Sequence, residues 1–226
     1  MILAVIAARG GSKRLPGKNI APFGGRPLLW WSIALAKRVK NVHCVVSTDN
    51  DEIAAVARDA GAQVLDRPKE LAGDDSPISQ VLVHALKSAL QENDGFDGVL
   101  LLQPTNPLRP VSMVEDAIAR FMSEPCDSLV AVSGRPLKTG AIDNGMFVRN
   151  YAPDTQSRVT PPVYYENGLL YLTKTETLLD HASIYGDRVL AFETARPFDE
   201  VDIDDAEDLL IGEAILGAVR NRLTYA

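Results

Sequence analysis

The sequence predicts an α/β fold built on a doubly wound, mostly parallel sheet. Three observations support this prediction. Short apolar segments of strand length alternate with longer segments of helical periodicity. A loop rich in glycine and cations follows the first apolar segment, where an open α/β sheet usually holds its ligand. The 226 residues, 46% of them hydrophobic, are enough for a single domain, residues 1–226, with one core.

The predicted strands and helices alternate along the chain. Pro27 in a first helical turn, Asn50 as an N-cap and Gly61 as a C-terminal stop mark helix ends. The predicted strands cover residues 2–7, 43–47, 63–65, 98–102, 128–133, 169–173 and 189–192. The predicted helices cover residues 27–39, 50–60, 78–91, 111–123 and 204–221. This order is typical of parallel strands joined by helical crossovers.

The alternation stops at residues 134–168, which are rich in Pro, Gly and Asn and lack helical periodicity. We interpret them as an excursion inserted into the domain. The excursion contains Tyr151, Tyr164 and Tyr165 without a pattern that would bury them. Apolar and aromatic surface without its own core is typical of an interface, so we expect a homodimer built by the excursion. The alternative is a lid that folds over its own chain.

Charge and composition argue against several classes of function. The net charge is −7 and the pI is near 5.0, so no nucleic-acid partner is expected. No apolar run approaches 18 residues, so no membrane partner is expected. Cys44 and Cys126 lack CxxC spacing, which favours reduced thiols over a zinc site. The first residues lack the pattern of a secretion signal, so we expect a cytoplasmic location.

The loop after residue 7 concentrates positive charge. Arg9, Lys13, Arg14 and Lys18 lie within ten residues and are interspersed with glycines. Glycines let backbone N–H groups approach an anion closely and the cations neutralise it, which predicts a polyphosphate ligand. The loop is neither a Walker A loop nor a dinucleotide fingerprint, because both spacings are absent. An ordinary exposed loop is the alternative.

A cluster of carboxylates follows residue 198. A short strand over residues 201–203 would place Asp202 and Asp204 on one face, because strand side chains alternate. Two carboxylates beside a triphosphate suit Mg²⁺ (or Mn²⁺), which takes one or two carboxylates plus phosphate oxygens. The alternative, an acid-rich helix start, explains Asp205 well and Asp202 poorly. Asp49, at the end of the second strand, faces this site or helps cap the next helix.

Several stretches, in order along nearly the whole chain, resemble the N-acylneuraminate cytidylyltransferase family. They are AARGGSKRLPGKN (7–19), VSTDNDEIAAVA (46–57), RPKELAGDDSPISQV (67–81), LLQPTNPLR (101–109), NGLLYLT (167–173) and VDIDDAEDL (201–209). The resemblance implies a Rossmann-like nucleotidyltransferase sheet with a protruding dimerisation excursion. It also implies transfer of CMP from CTP to the anomeric hydroxyl of a nonulosonic (sialic-type) acid, with release of pyrophosphate.

The resemblance assigns roles to residues of this chain. The catalytic group is Arg9, Lys13, Lys18, Asp202 and Asp204, and the last two are the metal ligands. The implied CTP contacts are Ala8, Arg9, Gly10, Gly11, Ser12, Lys13, Lys18, Asn19, Arg67, Ser76 and Ser79. The implied sugar contacts are Gln103, Thr105, Asn106, Lys138, Arg158 and Asn167. Arg67 would read the pyrimidine edge with its planar donor fork.

Some alternatives stay open. Ser76 could instead cap a helix, and Arg109 could meet the sugar carboxylate or stabilise its turn. The chain departs from the family where a second arginine is usual before Asn167, since Tyr165 and Glu166 stand near that place. The acid could therefore be legionaminic, pseudaminic or keto-deoxyoctulosonic. A nucleotide-sugar-dependent glycosyltransferase and a non-catalytic nucleotide sensor are the alternatives of other classes.

Overall fold

A mixed sheet forms the centre of the protein. The computed structural model describes residues 1–93 and 95–225. The strands are β1 (Ile2–Ala7), β2 (Pro22–Phe23), β3 (Arg26–Pro27), β4 (Val42–Thr48), β5 (Gln63–Asp66), β6 (Gly98–Leu101), β7 (Ser128–Arg135), β8 (Gly140–Asp143), β9 (Met146–Arg149), β10 (Val163–Lys174) and β11 (Val189–Glu193). The α-helices are α1 (Leu28–Ala36), α2 (Asp51–Asp59), α3 (Ile78–Ala89), α4 (Val111–Ser123), α5 (Thr175–His181) and α6 (Ala206–Val219).

Seven of the strands in the described part of the chain form the central sheet, in the order β11-β7-β10-β6-β1-β4-β5. Neighbours pair in parallel except β10, which runs antiparallel to both β6 and β7. The mostly parallel sheet that the alternating pattern predicted is thereby confirmed. β1, β4 and β6 end at the same edge, so the loops that follow them lie together.

Helices cover both faces of the sheet, as a doubly wound fold requires. Side chains of β1 alternate between two cores. Ile2, Ala4 and Ile6 pack in the larger core, with buried residues of α1, α2, α4 and α6. Leu3 and Val5 pack in the second core, with α3 and Leu178 of α5. The continuous apolar run of β1 follows from this, because a strand buried on both faces has no polar side.

Helix ends follow the local capping chemistry. The side chain of Asn50 accepts a hydrogen bond from the Ile53 N–H and caps α2, as predicted. Asp205 and Asp208 form a capping box at the start of α6, which accounts for two of the acidic residues there. The predicted helix start at residue 204 is therefore two residues early. α5 was not predicted.

One further expectation needs correction. The predicted strand over residues 201–203 is absent from the described structure, where this segment is extended but pairs with no strand. Within the excursion of residues 134–168, β7 and β10 pair from Ser133 and Tyr165 out to Arg135 and Val163. Beyond them stands the β8–β9 hairpin. Among the helices of the described residues, none is long and apolar enough to cross a membrane.

Candidate active site

The cation-rich loop is held in place by its neighbours at the edge of the sheet. The Ala8 N–H donates to the Ser47 carbonyl (3.0 Å), and the Gly10 N–H donates to Asp49 Oδ1 (3.0 Å). The buried Asn19 donates from Nδ2 to the Arg9 carbonyl (2.9 Å). Asp49 thus anchors the loop, and Asn50 caps α2. The structure therefore supports the interpretation in which Asp49 faces this site over the one in which it caps the helix. Ala8 and Asn19 were predicted to contact CTP. In the structure, the Ala8 N–H and the side-chain amide of Asn19 form hydrogen bonds that fix the shape of the loop.

The four cations of the loop are paired with two carboxylates. Arg9 Nη1 lies 2.6 Å from Asp74 Oδ1, and Lys13 also pairs with Asp74. The Lys13 and Arg9 hydrogen bonds hold the pKa of Asp74 below its usual value. Arg14 and Lys18 pair with opposite oxygens of Asp204, at 2.6 and 2.9 Å. Two carboxylates from distant segments therefore offset only part of the positive charge of the loop.

A cleft with three connected lobes runs along this edge of the sheet. The loop lobe, of about 280 Å³, is lined by the four cations, Asp74 and Asp204. The middle lobe, of about 370 Å³, shares Arg9, Ser12 and Lys18 with it. The outer lobe, of about 390 Å³, shares Gln103 and Tyr171 with the middle lobe and includes Asp202. The cleft can therefore hold an elongated ligand, with a strongly cationic end at the loop.

The predicted metal ligands lie on opposite sides of this cleft's middle. Val201 and Ile203 are buried while Asp202 is exposed and Asp204 is half-buried, so the expected alternation holds without a strand. Desolvation is the largest cause that raises the pKa of Asp202. A hydrogen bond from the Thr105 hydroxyl lowers this pKa, and the negative charge of Asp204 raises it further. For Asp204 desolvation is the largest influence and raises the pKa. The combined bonds to Lys18 and Arg14 outweigh it and lower the pKa.

The segment that carries these carboxylates is fixed by the loop after β6. The Ile203 N–H donates to the Thr105 carbonyl at 2.8 Å. Asn106, almost fully buried, donates from Nδ2 to the carbonyls of Val201 (3.0 Å) and Asn167 (3.2 Å). Asn106 was predicted as a sugar contact, but both its amide hydrogens are used within the chain. The geometry therefore gives Asn106 a positioning role beneath the cleft.

Asn167 is likewise engaged within the chain. Its Nδ2 donates to Ser133 Oγ (2.9 Å) and Thr194 Oγ1 (2.6 Å), and its Oδ1 accepts from the Leu169 N–H (3.2 Å). Gly168 has φ +76°, and a Cβ there would lie 2.9 Å from Asn106 Oδ1. Both the conformation and the close approach require glycine at this position. The Asn-Gly pair thus bends β10 at the cleft, and Asn167 lines the outer lobe without a free amide donor.

Arg109 is a structural residue. Its side chain is fully buried and donates to the carbonyls of Leu169 and Gln103 (2.7 Å for the latter) and to Ser32 Oγ (3.1 Å). Burial is the main cause that lowers the Arg109 pKa to about 10. Of its two open interpretations, the structure supports the one in which Arg109 stabilises the turn. No part of this guanidinium reaches the cleft surface.

The predicted base-recognition residues Arg67, Ser76 and Ser79 are not among those that line the three lobes of the cleft. Arg67 is buried and donates to Ser47 through Nε (3.2 Å to Oγ) and Nη2 (2.7 Å to the carbonyl). Desolvation lowers the pKa of Arg67. The negative charge of Asp49 raises this pKa, and the positive charge of Arg9 lowers it further. Ser76 does not cap α3, because its hydroxyl donates to the Glu70 carbonyl (3.1 Å) and Pro77 is the N-cap. Ser79, half-buried, lies in the first turn of α3.

The remaining predicted sugar residues divide into two groups. Gln103 and Thr105 line the middle lobe, as expected for residues that follow β6. Lys138 and Arg158 are exposed on the excursion, and neither lines the three lobes of the cleft. Lys138 Nζ lies 5.4 Å from the centre of the Tyr151 ring. Their own chain therefore does not bring Lys138 and Arg158 into the cleft.

Several cleft residues were missed by the sequence interpretation. Asp74 pairs with Arg9 and Lys13 of the loop, and Glu166, Tyr171 and Tyr185 form a hydrogen-bonded group in and beside the outer lobe. The Asp-Asp pair at residues 74–75 and the departure at Glu166 were visible in the sequence. The partners of Asp74 lie far away along the chain, and Tyr171 meets Glu166 only because the strand between them is bulged.

The arrangement suits a triphosphate at the loop lobe and a polar organic ligand in the outer lobe. The donor set also fits Mg²⁺, a hard ion that takes one or two carboxylates and completes its shell with phosphate oxygens and water. Asp204 offers such oxygens in the loop lobe and Asp202 in the outer lobe. A triphosphate at the loop would draw Lys18 and Arg14 away from Asp204 and leave that carboxylate available.

Comparisons with known proteins show the family to which the chain is related. The sequence model of the family described as cytidylyltransferase matches residues 3–213. A CMP-N,N'-diacetyllegionaminic acid synthase from Legionella pneumophila is 33% identical over 224 residues, which are 95% of this chain and 96% of that protein. An N-acylneuraminate cytidylyltransferase from Streptococcus agalactiae is 30% identical over 217 residues. That match covers 92% of this chain and 51% of the streptococcal protein, so the chain spans about half its length.

The fold has a solved counterpart. The structure of a CMP:2-keto-3-deoxy-manno-octonic acid synthetase complexed with CTP superposes with a TM-score of 0.70 and 17% identity. The superposition covers 96% of this chain and 98% of that one, and it supports the nucleotidyltransferase fold alone. The family match over residues 3–213 confirms the resemblance found in the sequence. This chain belongs to the cytidylyltransferase family.

Proposed function

We propose that the protein transfers CMP from CTP to the anomeric hydroxyl of an acidic 2-keto sugar of the nonulosonic class, releasing pyrophosphate. One observation carries the proposal: a single cleft joins a lobe with four cations to a lobe for a second ligand, and Asp204 lines the first of these lobes and Asp202 the second. Relatives named for legionaminic and N-acylneuraminic acids support the class of acceptor.

The residues of the loop bind and orient the triphosphate. Arg9, Lys13 and Lys18 exchange their carboxylate partners for phosphate oxygens, so they stabilise charge that grows on the leaving pyrophosphate. Gly10, Gly11 and Ser12 let the backbone approach the phosphates. The anomeric oxygen bonds to the α-phosphorus as the bond to pyrophosphate breaks, with attacking and leaving oxygens in line.

Asp202 and Asp204 would hold Mg²⁺ (or Mn²⁺) in this proposal. The bound ion supplies positive charge on the phosphate oxygens during transfer. Asn106 and Thr105 position the two carboxylates through the backbone of residues 201 and 203. A cytoplasmic location, where CTP is available, belongs to the same proposal.

Base choice is assigned to Arg67 with backbone groups near Ser76 and Ser79. A site matched to the donors and acceptors of cytosine leaves groups unpaired when uracil enters, and such mismatches are costly. The test is pyrophosphate release from CTP, UTP or ATP with Mg²⁺ and a panel of nonulosonic acids. We expect turnover with CTP and at least one acid. Comparable kcat/KM with UTP would contradict the base assignment, and no pyrophosphate with any acid would contradict the proposed function.

The glycosyltransferase alternative is disfavoured by the loop lobe. A nucleotide-diphosphate sugar needs less positive charge there than the four cations supply. The same panel separates the two classes, because a glycosyltransferase would release a nucleoside diphosphate from a nucleotide sugar and would form no pyrophosphate from CTP.

We further propose a homodimer that pairs through the β8–β9 hairpin. Ile142, Met146 and Phe147 are 80%, 71% and 57% exposed there, which is apolar surface without a core of its own. A partner's excursion could carry Lys138 and Arg158 to the sugar lobe. Light scattering should give twice the 24.5 kDa chain mass, and Phe147→Glu should lower it. Leu210→Glu, at an exposed leucine on α6, is the control. A monomeric wild type would contradict the dimer.

Shared pockets have a separate test. Mixing Asp204→Asn chains with Arg158→Ala chains should restore part of the activity if the excursion completes the partner's pocket. Each hybrid would then contain one pocket with both native residues. No recovery after demonstrated subunit exchange would show that each chain completes its own pocket.

A further inference from the structure

The outer lobe has an acidic lining. Four carboxylates line it: Glu166, Asp199, Glu200 and Asp202. Arg135 pairs with Asp199 and Glu200, at 2.7 Å each, and Arg196 pairs with Glu200 at 2.6 Å. No lysine or arginine of the described residues is among those that line the lobe itself. The space assigned to an acidic sugar is thus bounded by negative charge, apart from its connection to the loop.

Of the four carboxylates, Glu166 and Asp202 form no salt bridge with any of the described residues, whereas Asp199 and Glu200 do. The Oε2 of Glu166 accepts hydrogen bonds from the hydroxyls of Tyr185 (2.7 Å) and Tyr171 (3.3 Å). Its Oε1 accepts no hydrogen bond from any residue that the structure describes. The two phenols are neutral donors, and the rings pack edge to face with centres 6.5 Å apart. They hold Oε2 in place and leave Oε1 available to a hydrogen-bond donor of a ligand.

The backbone of β10 is shaped to bring this group together. Residues five apart in a regular strand point to opposite faces. The register of β10 against β7 shifts between Glu166 and Tyr171, where Gly168 has a positive φ. The bulge places both side chains in the same lobe, which is a recognised use of bulges near active sites.

Asp199 gives a second indication of a missing donor. Its side chain is fully buried, and its Oδ1 has no hydrogen-bond partner among the described residues. Asp199 lines the same lobe as Glu166. The lobe therefore has an excess of acceptor oxygens, which a ligand rich in hydrogen-bond donors would complement. A further acidic or acceptor-only group would meet repulsion.

We propose that Glu166 recognises a protonated amine on the part of the sugar acid that lies away from its anomeric carbon. This inference rests on the proposed function and names the acceptor more closely: a nonulosonic acid with a free amino group. Glu166 Oε1 accepts from the ammonium, and Tyr171 and Tyr185 are positioning residues that hold Oε2. A charged hydrogen bond of this kind is stronger than one from a neutral amide N–H.

The test uses pairs of nonulosonic acids that differ at one carbon, with an acetamido group in one member and a free amino group in the other. Pyrophosphate release with CTP and Mg²⁺ at pH 7 gives kcat/KM for each. We expect the wild type to prefer the amino member of at least one pair by about tenfold or more, the factor given by 1.4 kcal/mol. Glu166→Gln, which is isosteric, should bring this ratio near one by lowering kcat/KM for the amino member more than for the acetamido member.

The controls separate recognition from folding. Tyr185→Phe should lower the amino preference partly, because Oε2 loses its shorter hydrogen bond. Glu176→Gln, a carboxylate outside the cleft in α5, should leave the preference unchanged. Equal kcat/KM for both members of every pair in the wild type would overturn the inference while leaving cytidylyl transfer intact. An equal loss for both members in Glu166→Gln would also overturn it. No pyrophosphate from any acid would instead refute the proposed function, and the inference with it.

Discussion

Replacing Arg109 with Met should destabilise the protein without changing substrate recognition. The guanidinium is fully buried and donates to Leu169, Gln103 and Ser32. Its loss leaves three buried acceptors unpaired, at about 1–3 kcal/mol each, offset in part because burying a guanidinium is itself costly. We expect the free energy of unfolding to fall by about 3 kcal/mol. For a chain of this size that lowers Tm by about 6–12 °C.

Arg109→Lys should lie between the wild type and Arg109→Met, because an ammonium cannot reach three separated acceptors as a planar fork does. Arg38→Met, at an exposed arginine after α1, is the matched control and should change Tm little. Calorimetry gives Tm, and assays well below it give KM for the sugar. An unchanged Tm with a tenfold higher KM would refute this reasoning and place Arg109 on the sugar carboxylate.

Three further predictions follow from the same geometry. Asp202→Asn and Asp204→Asn should each lower turnover at least about a hundredfold, while calorimetric titration still detects CTP; near-normal pyrophosphate release at saturating Mg²⁺ would remove the metal assignment. Arg9→Ala and Lys18→Ala should weaken binding of CTP more than of CMP, and equal losses would place these cations away from the β- and γ-phosphates. Desolvation raises the pKa of Cys44 from 9.0 to about 12, so this half-buried thiol should react with a disulfide reagent at pH 8 more slowly in the folded than in the unfolded protein. Between pH 9.0 and about 12, the folded protein keeps the Cys44 proton that the unfolded protein has lost, so the free energy of unfolding falls as the pH rises through this range. Rapid labelling of Cys44 in the native protein would contradict the raised pKa.

Local patterns predicted the sheet and its helices well. β1 reads as one apolar run because both faces are buried, and Asn50 caps α2 because its side chain meets an N–H three residues away. Both effects act over short distances in the sequence. The positions of Gln103 and Thr105 also followed from local order, since loops after neighbouring parallel strands meet at one edge.

Long-range contacts account for what could not be predicted. Lys18 and Asp204 are 186 residues apart, and Asn106 meets Val201 across 95 residues. No local pattern shows that Asn106 turns inward, so it was interpreted as a ligand contact. Similarly, the strand expected at residues 201–203 has its extended shape but is held by a loop and a side chain instead of a neighbouring strand. The role of Glu166 depends on a bulge that only tertiary pairing reveals.

In the proposed reaction, the sugar's anomeric oxygen attacks the α-phosphorus of CTP in this cleft. The most direct test is phosphorus NMR of the products formed in H₂¹⁸O, with an acid whose anomeric hydroxyl has been equilibrated with that water. We predict a CMP-sugar with ¹⁸O in the bridge between phosphorus and the anomeric carbon, together with unlabelled pyrophosphate. A bridge of ¹⁶O would mean that a phosphate oxygen of the nucleotide attacks the sugar carbon, and labelled CMP without CMP-sugar would mean hydrolysis; either result would contradict the account.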